Sequence, residues 1–328
     1  MPPSYSNAEP VNPGATPEAR ELLTFLQSVN GHGTLSGQHN YFSMDPLSSD
    51  RVEALTGVAP RVWGCEWGFS DARHPTDDIA YRPRLLEEMR VRYEAGYIVV
   101  LTWHQASPTM GEPCLFEEGV KMNLSDRDWR EILTEGTDLN RIWCEQVDLL
   151  ARGLCMLRDA KVPVIFRPYH EMNGNWFWWG GRPGSDDYQR LWSMLQDRLI
   201  RHHRLDNLLW AWCSDRPWEG VEDYWPGHDR VDILGADIYP LSGNPVVFRP
   251  EWFDRMSKLA AGKPLALTEN SVLPTEEELQ RQPWAWFMGW VDLMFDANTG
   301  DRIREVYRLP RVISGRRNIA RARSLNAS

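Results

Sequence analysis

Short apolar runs bounded by glycine, proline, asparagine or aspartate recur along this chain, and amphipathic stretches of helical period separate many of them. The runs predict strands over residues 34–40, 61–66, 98–104, 162–170, 207–212, 232–239, 264–269 and 285–290. The clearest helices between them lie near 81–95, 138–160, 185–202 and 248–261, with Asp138, Ser185 and Asp186 placed to cap or charge their N-termini. Strand and helix alternating in this way specify a parallel sheet, and eight repeats fit a closed (β/α)8 TIM barrel better than an open doubly wound sheet. Residues 1–17 are proline-rich and predict an extended lead-in, residues 18–313 form one barrel domain, and the arginine-rich stretch 314–328 reads as a tail. No linker, charge block or internal repeat argues for a second domain.

The ends of the predicted strands carry the chemistry. Trp103 and His104 close the third strand, Arg167, His170 and Glu171 the fourth, Tyr239 the sixth, Glu269 the seventh and Trp290 the eighth. In a barrel these C-terminal ends converge on one face, so residues far apart in sequence would share a pocket. The stretch 105–136, rich in proline, glycine and charge, is the longest strand-to-helix connection and would border that pocket.

Composition narrows the partner. The 328 residues carry 46 acidic against 36 basic side chains, a formal net charge of −10, which disfavours a nucleic-acid ligand. No apolar run approaches the roughly 18 residues that span a bilayer, and the first residues lack the apolar core of a secretory signal. The expectation is a soluble, cytoplasmic monomer; the alternative is a secreted protein whose leader has been removed. Five cysteines with no Cys-x-x-Cys spacing predict reduced thiols rather than a disulfide framework or a zinc site. The unusual feature is 17 tryptophans, several beside ionisable residues, because sugar rings pack their C–H faces on aromatic surfaces.

Two carboxylates at the ends of strands four and seven would face each other across the barrel mouth, as acid/base and nucleophilic chemistry at an acetal carbon requires. Taken singly, a strand-end glutamate is more often a solvated surface residue. Glu171 differs because His170 precedes it and Trp176, Trp178 and Trp179 follow within eight residues; four consecutive aromatics, Trp176 to Trp179 with Phe177, cannot all face one way. In a retaining mechanism Glu171 would protonate the departing oxygen and Glu269 would attack the anomeric carbon, and Tyr239, Arg167 and His104 are candidates for holding Glu269 ionised or for touching the sugar. Zinc-protease, dinucleotide, phosphate-loop and nucleophile-elbow motifs are absent.

The stretch Arg-Pro-Tyr-His-Glu-Met-Asn-Gly-Asn-Trp-Phe-Trp-Trp-Gly over 167–180 resembles glycoside hydrolase family 26, whose best-known members are endo-β-1,4-mannanases. Gly-Gln-His-Asn at 37–40, Leu-Thr-Trp-His at 101–104, Ala-Asp-Ile-Tyr-Pro at 236–240 and Leu-Thr-Glu at 267–269 follow in that family's order. The resemblance implies Glu171 as acid/base, Glu269 as nucleophile, and His104, His170, Trp176, Tyr239 and Trp290 around the −1 sugar. Trp103 and Arg167 complete the candidate substrate-binding set. It implies no cofactor and no metal, and a polysaccharide or oligosaccharide substrate. Mixed-linkage β-glucan and β-1,3-xylan are alternatives under the same mechanism, and a non-catalytic carbohydrate-binding barrel is the alternative of another class.

Overall fold

The computed structural model describes residues 9–317 apart from His74 and Pro245. Eight strands close on themselves: β1 (Thr34–Asn40), β2 (Val62–Glu66), β3 (Ile98–Trp103), β4 (Val164–Pro168), β5 (Leu208–Asp215), β6 (Ile233–Ile238), β7 (Leu265–Asn270) and β8 (Trp286–Gly289). Each pairs in parallel with its neighbours, and β1 pairs with both β8 and β2, so the ring has no free edge. The predicted barrel is the observed one. A two-residue strand β9 (Val312–Ile313) adds to the start of β1.

Helices α3 (Arg82–Glu94), α5 (Asp138–Asp159), α6 (Tyr188–Asp197) and α7 (Pro250–Ala260) match the predicted ones, α6 continuing into a π turn over Arg198–His202. The predicted caps differ in detail. Thr137, not Asp138, caps α5, and α6 starts at Tyr188, so Ser185 and Asp186 precede it without capping it. Shorter helices not predicted are α2 (Ser48–Thr56), α4 (Asp126–Leu133), α8 (Glu276–Arg281), α9 (Val291–Ala297) and α10 (Gly300–Tyr307). Their amphipathic pattern runs for only two turns, too short for periodicity to stand out.

The N-terminal helix α1 (Pro17–Val29) was also not predicted, and it has a specific place. Its Leu22, Leu23 and Leu26 join Leu35, Val62, Ile98, Ile165, Leu209 and Trp286 in one buried cluster, which plugs the barrel floor. The segment before it is strapped down, since the Val11 N–H donates to Asp232 Oδ1 at 2.7 Å and Asn12 Nδ2 to Asp206 Oδ1 at 2.8 Å. Residues 1–8 of the expected lead-in and 318–328 of the expected tail lie outside the described residues.

The barrel interior is thus apolar at its floor and becomes charged toward the C-terminal rim, where Glu66, Thr102, Arg167, Asp237 and Thr268 are all buried. Burying that many polar groups is tolerated only where they pair with one another. All five cysteines are free thiols.

Candidate active site

The chain leaves β4 through an unusual turn. Tyr169 and Glu171 both adopt left-handed backbone conformations, at φ +49° and +53°. Non-glycine residues there cost roughly 1 kcal/mol or more each, so neighbours must over-determine them. They do. The Tyr169 hydroxyl donates to Gln105 Oε1 at 2.6 Å and accepts from Trp143 Nε1 at 2.9 Å, its carbonyl accepts from Tyr188 at 3.0 Å, and the Glu171 N–H donates to the Cys213 carbonyl at 2.8 Å. Trp179 is wholly buried and donates to the His170 carbonyl at 2.7 Å. Much of the tryptophan run therefore serves to hold this turn, which throws the Glu171 side chain over the barrel mouth.

A bulge aims the opposite carboxylate. Between β6 and β7 the register shifts: Ala236 pairs with Leu267, but Asp237 pairs with Glu269, leaving Thr268 as the extra residue. Leu267 belongs to the outer core, whereas the Thr268 hydroxyl donates inward to Asp237 Oδ1 at 2.7 Å. Strict alternation would then turn Glu269 outward; the bulge turns it inward as well.

Glu269 is held from two sides. Tyr239 donates its hydroxyl to Oε2 at 2.7 Å, and Arg167 Nη1 forms an ion pair with Oε1 at 2.7 Å. The same guanidinium is ion-paired with Asp237 beneath. Burial works against the charge on Arg167, but Asp237 and Glu269 together hold it firmly protonated. His170 Nε2 lies 3.8 Å from Glu269 Oε1; burial and the Arg167 charge keep this imidazole neutral by pushing its pKa well below the usual histidine range.

Glu171 has the contrasting environment. Its Oε2 accepts one hydrogen bond, from Trp176 Nε1 at 2.8 Å. Burial first, then the charges of Glu269, Asp237 and Asp215, push its pKa well above the ordinary carboxyl range. An oxygen of Glu171, one of Asp237 and one of Glu269 all lie within 4.8 Å of one another. Retaining glycosidases hold their two carboxyls about 5 Å apart, whereas inverting ones leave roughly 6.5 to 9.5 Å for a water molecule. This triplet is geometrically able to hold a metal ion, but Arg167 already supplies the positive charge to two of its members. A second such cluster, Asp148 with His202 and His203, lies away from the barrel mouth, with Asp148 engaged by both Arg198 and His203.

The cleft above the pair is lined by Tyr41, Phe69, Asp77, His104, Phe116, His170, Phe177, Tyr239 and Trp290. His104 Nδ1 meets Glu66 Oε2 at 2.7 Å, and although burial opposes it, the Glu66 charge raises the His104 pKa. Trp290 stacks on His39 at 3.8 Å, while Trp284 and Trp286 are core residues. Phe116, from the long loop after β3, brings that loop to the cleft as its length suggested.

Two of the predicted substrate-binding residues sit elsewhere. Trp103 is fully buried on the outer face of β3, stacked near Phe166 and Tyr169, because strand alternation sends it opposite to its neighbours Thr102 and His104. Arg167 is 1% exposed beneath the carboxylates, so it acts on Glu269 and Asp237 rather than on a sugar. The residues that sequence reasoning missed, Tyr41, Glu66, Phe69, Asp77 and Phe116, come from the ends of β1 and β2 and from loops. Tyr41 directly follows the Gly-Gln-His-Asn segment and Glu66 ends an apolar run, which is the signal that could have found them.

A closed parallel barrel that sets two carboxylates in unlike environments across an aromatic cleft has the architecture of a glycoside hydrolase. Sequence comparison assigns it within that class, since the sequence model described as Glycosyl hydrolase family 26 matches residues 11–315, and the chain belongs to this family. A mannan endo-1,4-beta-mannosidase of Thermothelomyces thermophilus is 32% identical over 308 residues, covering 90% of this chain and 60% of the relative. The chain spans 46% and 49% of the length of two Piromyces relatives of the same activity. Among solved structures, GH26A from Muricauda sp. superimposes with a TM-score of 0.84 at 38% identity, over 92% of this chain and 98% of that one. A beta-mannanase from a symbiotic protist of the termite Reticulitermes speratus, complexed with gluco-manno-oligosaccharide, gives 0.82 at 25% identity over 95% and 97%.

Proposed function

We propose that this protein cleaves β-1,4-mannosidic linkages by double displacement with retention of configuration. The observation that carries the reading is the approach of Glu171 and Glu269 to within 4.8 Å at the ends of β4 and β7. In this mechanism Glu171, kept protonated by burial and by the neighbouring charge, gives its proton to the glycosidic oxygen as the bond to the anomeric carbon breaks. Glu269, aimed by Tyr239 and Arg167, attacks that carbon from the opposite side and forms a glycosyl ester. Glu171, now ionised, takes a proton from water, which displaces Glu269 and restores both groups. His104, His170, Trp176 and Trp290 surround the sugar in the −1 position. The names of the relatives support mannan as the substrate class. No chemistry in these steps calls for a cofactor.

The test is incubation with mannan, galactomannan, mixed-linkage β-glucan and xylan in parallel, with product mass, linkage and initial anomeric configuration followed by NMR. Manno-oligosaccharides released first as β-anomers are expected. Products from glucan or xylan alone would overturn the substrate, α-anomers would overturn retention, and no products from any polymer would favour a binding protein.

A further inference from the structure

Of the 17 tryptophans in the chain, sixteen are buried or half-buried and Trp218 is exposed, at 39%. A large aromatic held in water is informative when its surroundings fix its position. Trp218 lies three residues beyond β5, in the connection to β6 where a 3-10 turn, Val221–Tyr224, replaces the usual barrel helix. This places it on the C-terminal face that carries Glu171 and Glu269.

The connection is tied to the acid/base turn. Asn173, two residues after Glu171, accepts from the Asp215 N–H at 2.9 Å and donates to the Asp215 carbonyl at 2.7 Å. The Asp215 carboxylate receives Arg216 through Nε at 3.1 Å and Nη2 at 3.0 Å, and the guanidinium lies 5.1 Å from the Trp218 ring centroid. Pro217 precedes the ring, the Trp218 N–H donates to the Arg216 carbonyl at 2.6 Å, and its own carbonyl accepts from Val221 at 3.3 Å. Arginine covers one side of the indole and backbone bonds fix its base, so little conformational freedom remains to be lost when the open side takes a ligand.

We infer that Trp218 is a stacking platform for the leaving-group side of the substrate, one sugar beyond the residue that receives the proton from Glu171; this rests on the assignment of Glu171 as the acid. The proton donor marks the side on which the leaving chain departs, and Trp218 is joined to that donor's own loop. The link from donor to ring runs in series through Asn173, Asp215 and Arg216, which sets the ring further out than the scissile bond. The axial and ring C–H groups of a β-linked mannose unit pack on the open indole face while its hydroxyls stay in water. The cleft walls at Tyr41 and Trp290 then take the opposite, glycone side.

The measurement compares mannohexaose with 2,4-dinitrophenyl β-mannobioside, whose leaving group ends at one ring, in the wild type and in Trp218→Ala and Trp218→Phe. The ratio of kcat/KM for the hexaose to that for the aryl glycoside is expected to fall about tenfold in Trp218→Ala, equivalent to about 1.4 kcal/mol, and to recover most of that in Trp218→Phe. An unchanged ratio, including the case in which both substrates lose activity together, overturns the platform. A wild-type protein that hydrolyses neither mannoside strikes the catalytic reading itself, and the platform falls with it.

Discussion

The Tyr239 hydroxyl donates to Glu269 Oε2 at 2.7 Å, while Oε1 of the same carboxylate meets Arg167 at 2.7 Å. Both oxygens of Glu269 are therefore anchored, and its partner across the cleft, Glu171, has one indole donor and an otherwise desolvated setting. Two identical side chains are given different work by their surroundings, which is the pattern expected of an acid and a nucleophile sharing one site.

Glu269→Gln keeps the shape of the side chain and removes the attacking charge. Its kcat on mannan should fall by about 10³-fold or more with a cooperative thermal melt retained. Glu171→Ala should lose roughly 10² to 10⁴-fold on mannan and far less on a dinitrophenyl mannobioside, which departs without needing a proton. Wild-type rates in Glu269→Gln would remove that residue from the mechanism.

The charge of Glu269 raises the Glu171 pKa, second only to burial. Removing that charge in Glu269→Gln should move the Glu171 titration downward, because the carboxylate form of Glu171 no longer faces a like charge. Carbon-13 NMR of labelled glutamate side chains reads this directly. A titration that stays where it was would mean the two carboxylates are not coupled.

Tyr239→Phe deletes one donor to Glu269 and little else. Hydrogen bonds to charged groups contribute about 1.5–3 kcal/mol, so kcat should drop roughly ten- to 150-fold, with a smaller change in KM. Steady-state kinetics on mannohexaose would expose the idea as wrong if kcat stayed within twofold.

Asp232 fixes the N-terminal strap, accepting from Val11 at 2.7 Å and from Trp210 at 2.8 Å. Burial pushes its pKa up to about 6, against the opposing effect of those two N–H groups. The native state thus holds its proton more tightly than the unfolded chain, and this group's contribution to stability declines as pH rises from about 4 to about 6. Asp232→Ala should lose about 2–4 kcal/mol for two stranded donors, and the gap to wild type should narrow across that window. Urea unfolding at pH 4.5 and pH 7 tests both; a gap that widens with pH would refute the assignment.

All eight strands were legible in the chain, and β1 was predicted to the residue. A barrel strand is a short apolar run that turn residues interrupt, and both of those are local properties. That Glu171, His170, Glu269, Tyr239 and Trp290 gather at one cleft was legible too, because strand ends in a closed parallel barrel must converge whatever the loops do. Which way a side chain points was not. Trp103 and His104 are adjacent and one faces the core while the other faces the cleft, a choice set by register around the ring. The inward turn of Glu269 depends on the bulge at Thr268, and the left-handed turn depends on distant partners, Tyr169 on Gln105, Trp143 and Tyr188 and Glu171 on Cys213. The burial of Arg167 between Glu269 and Asp237 depends on three strands meeting. The order of elements and the types of residue at their ends follow from neighbours along the chain. The aim and the protonation of those residues follow from neighbours in space, which only barrel closure brings together.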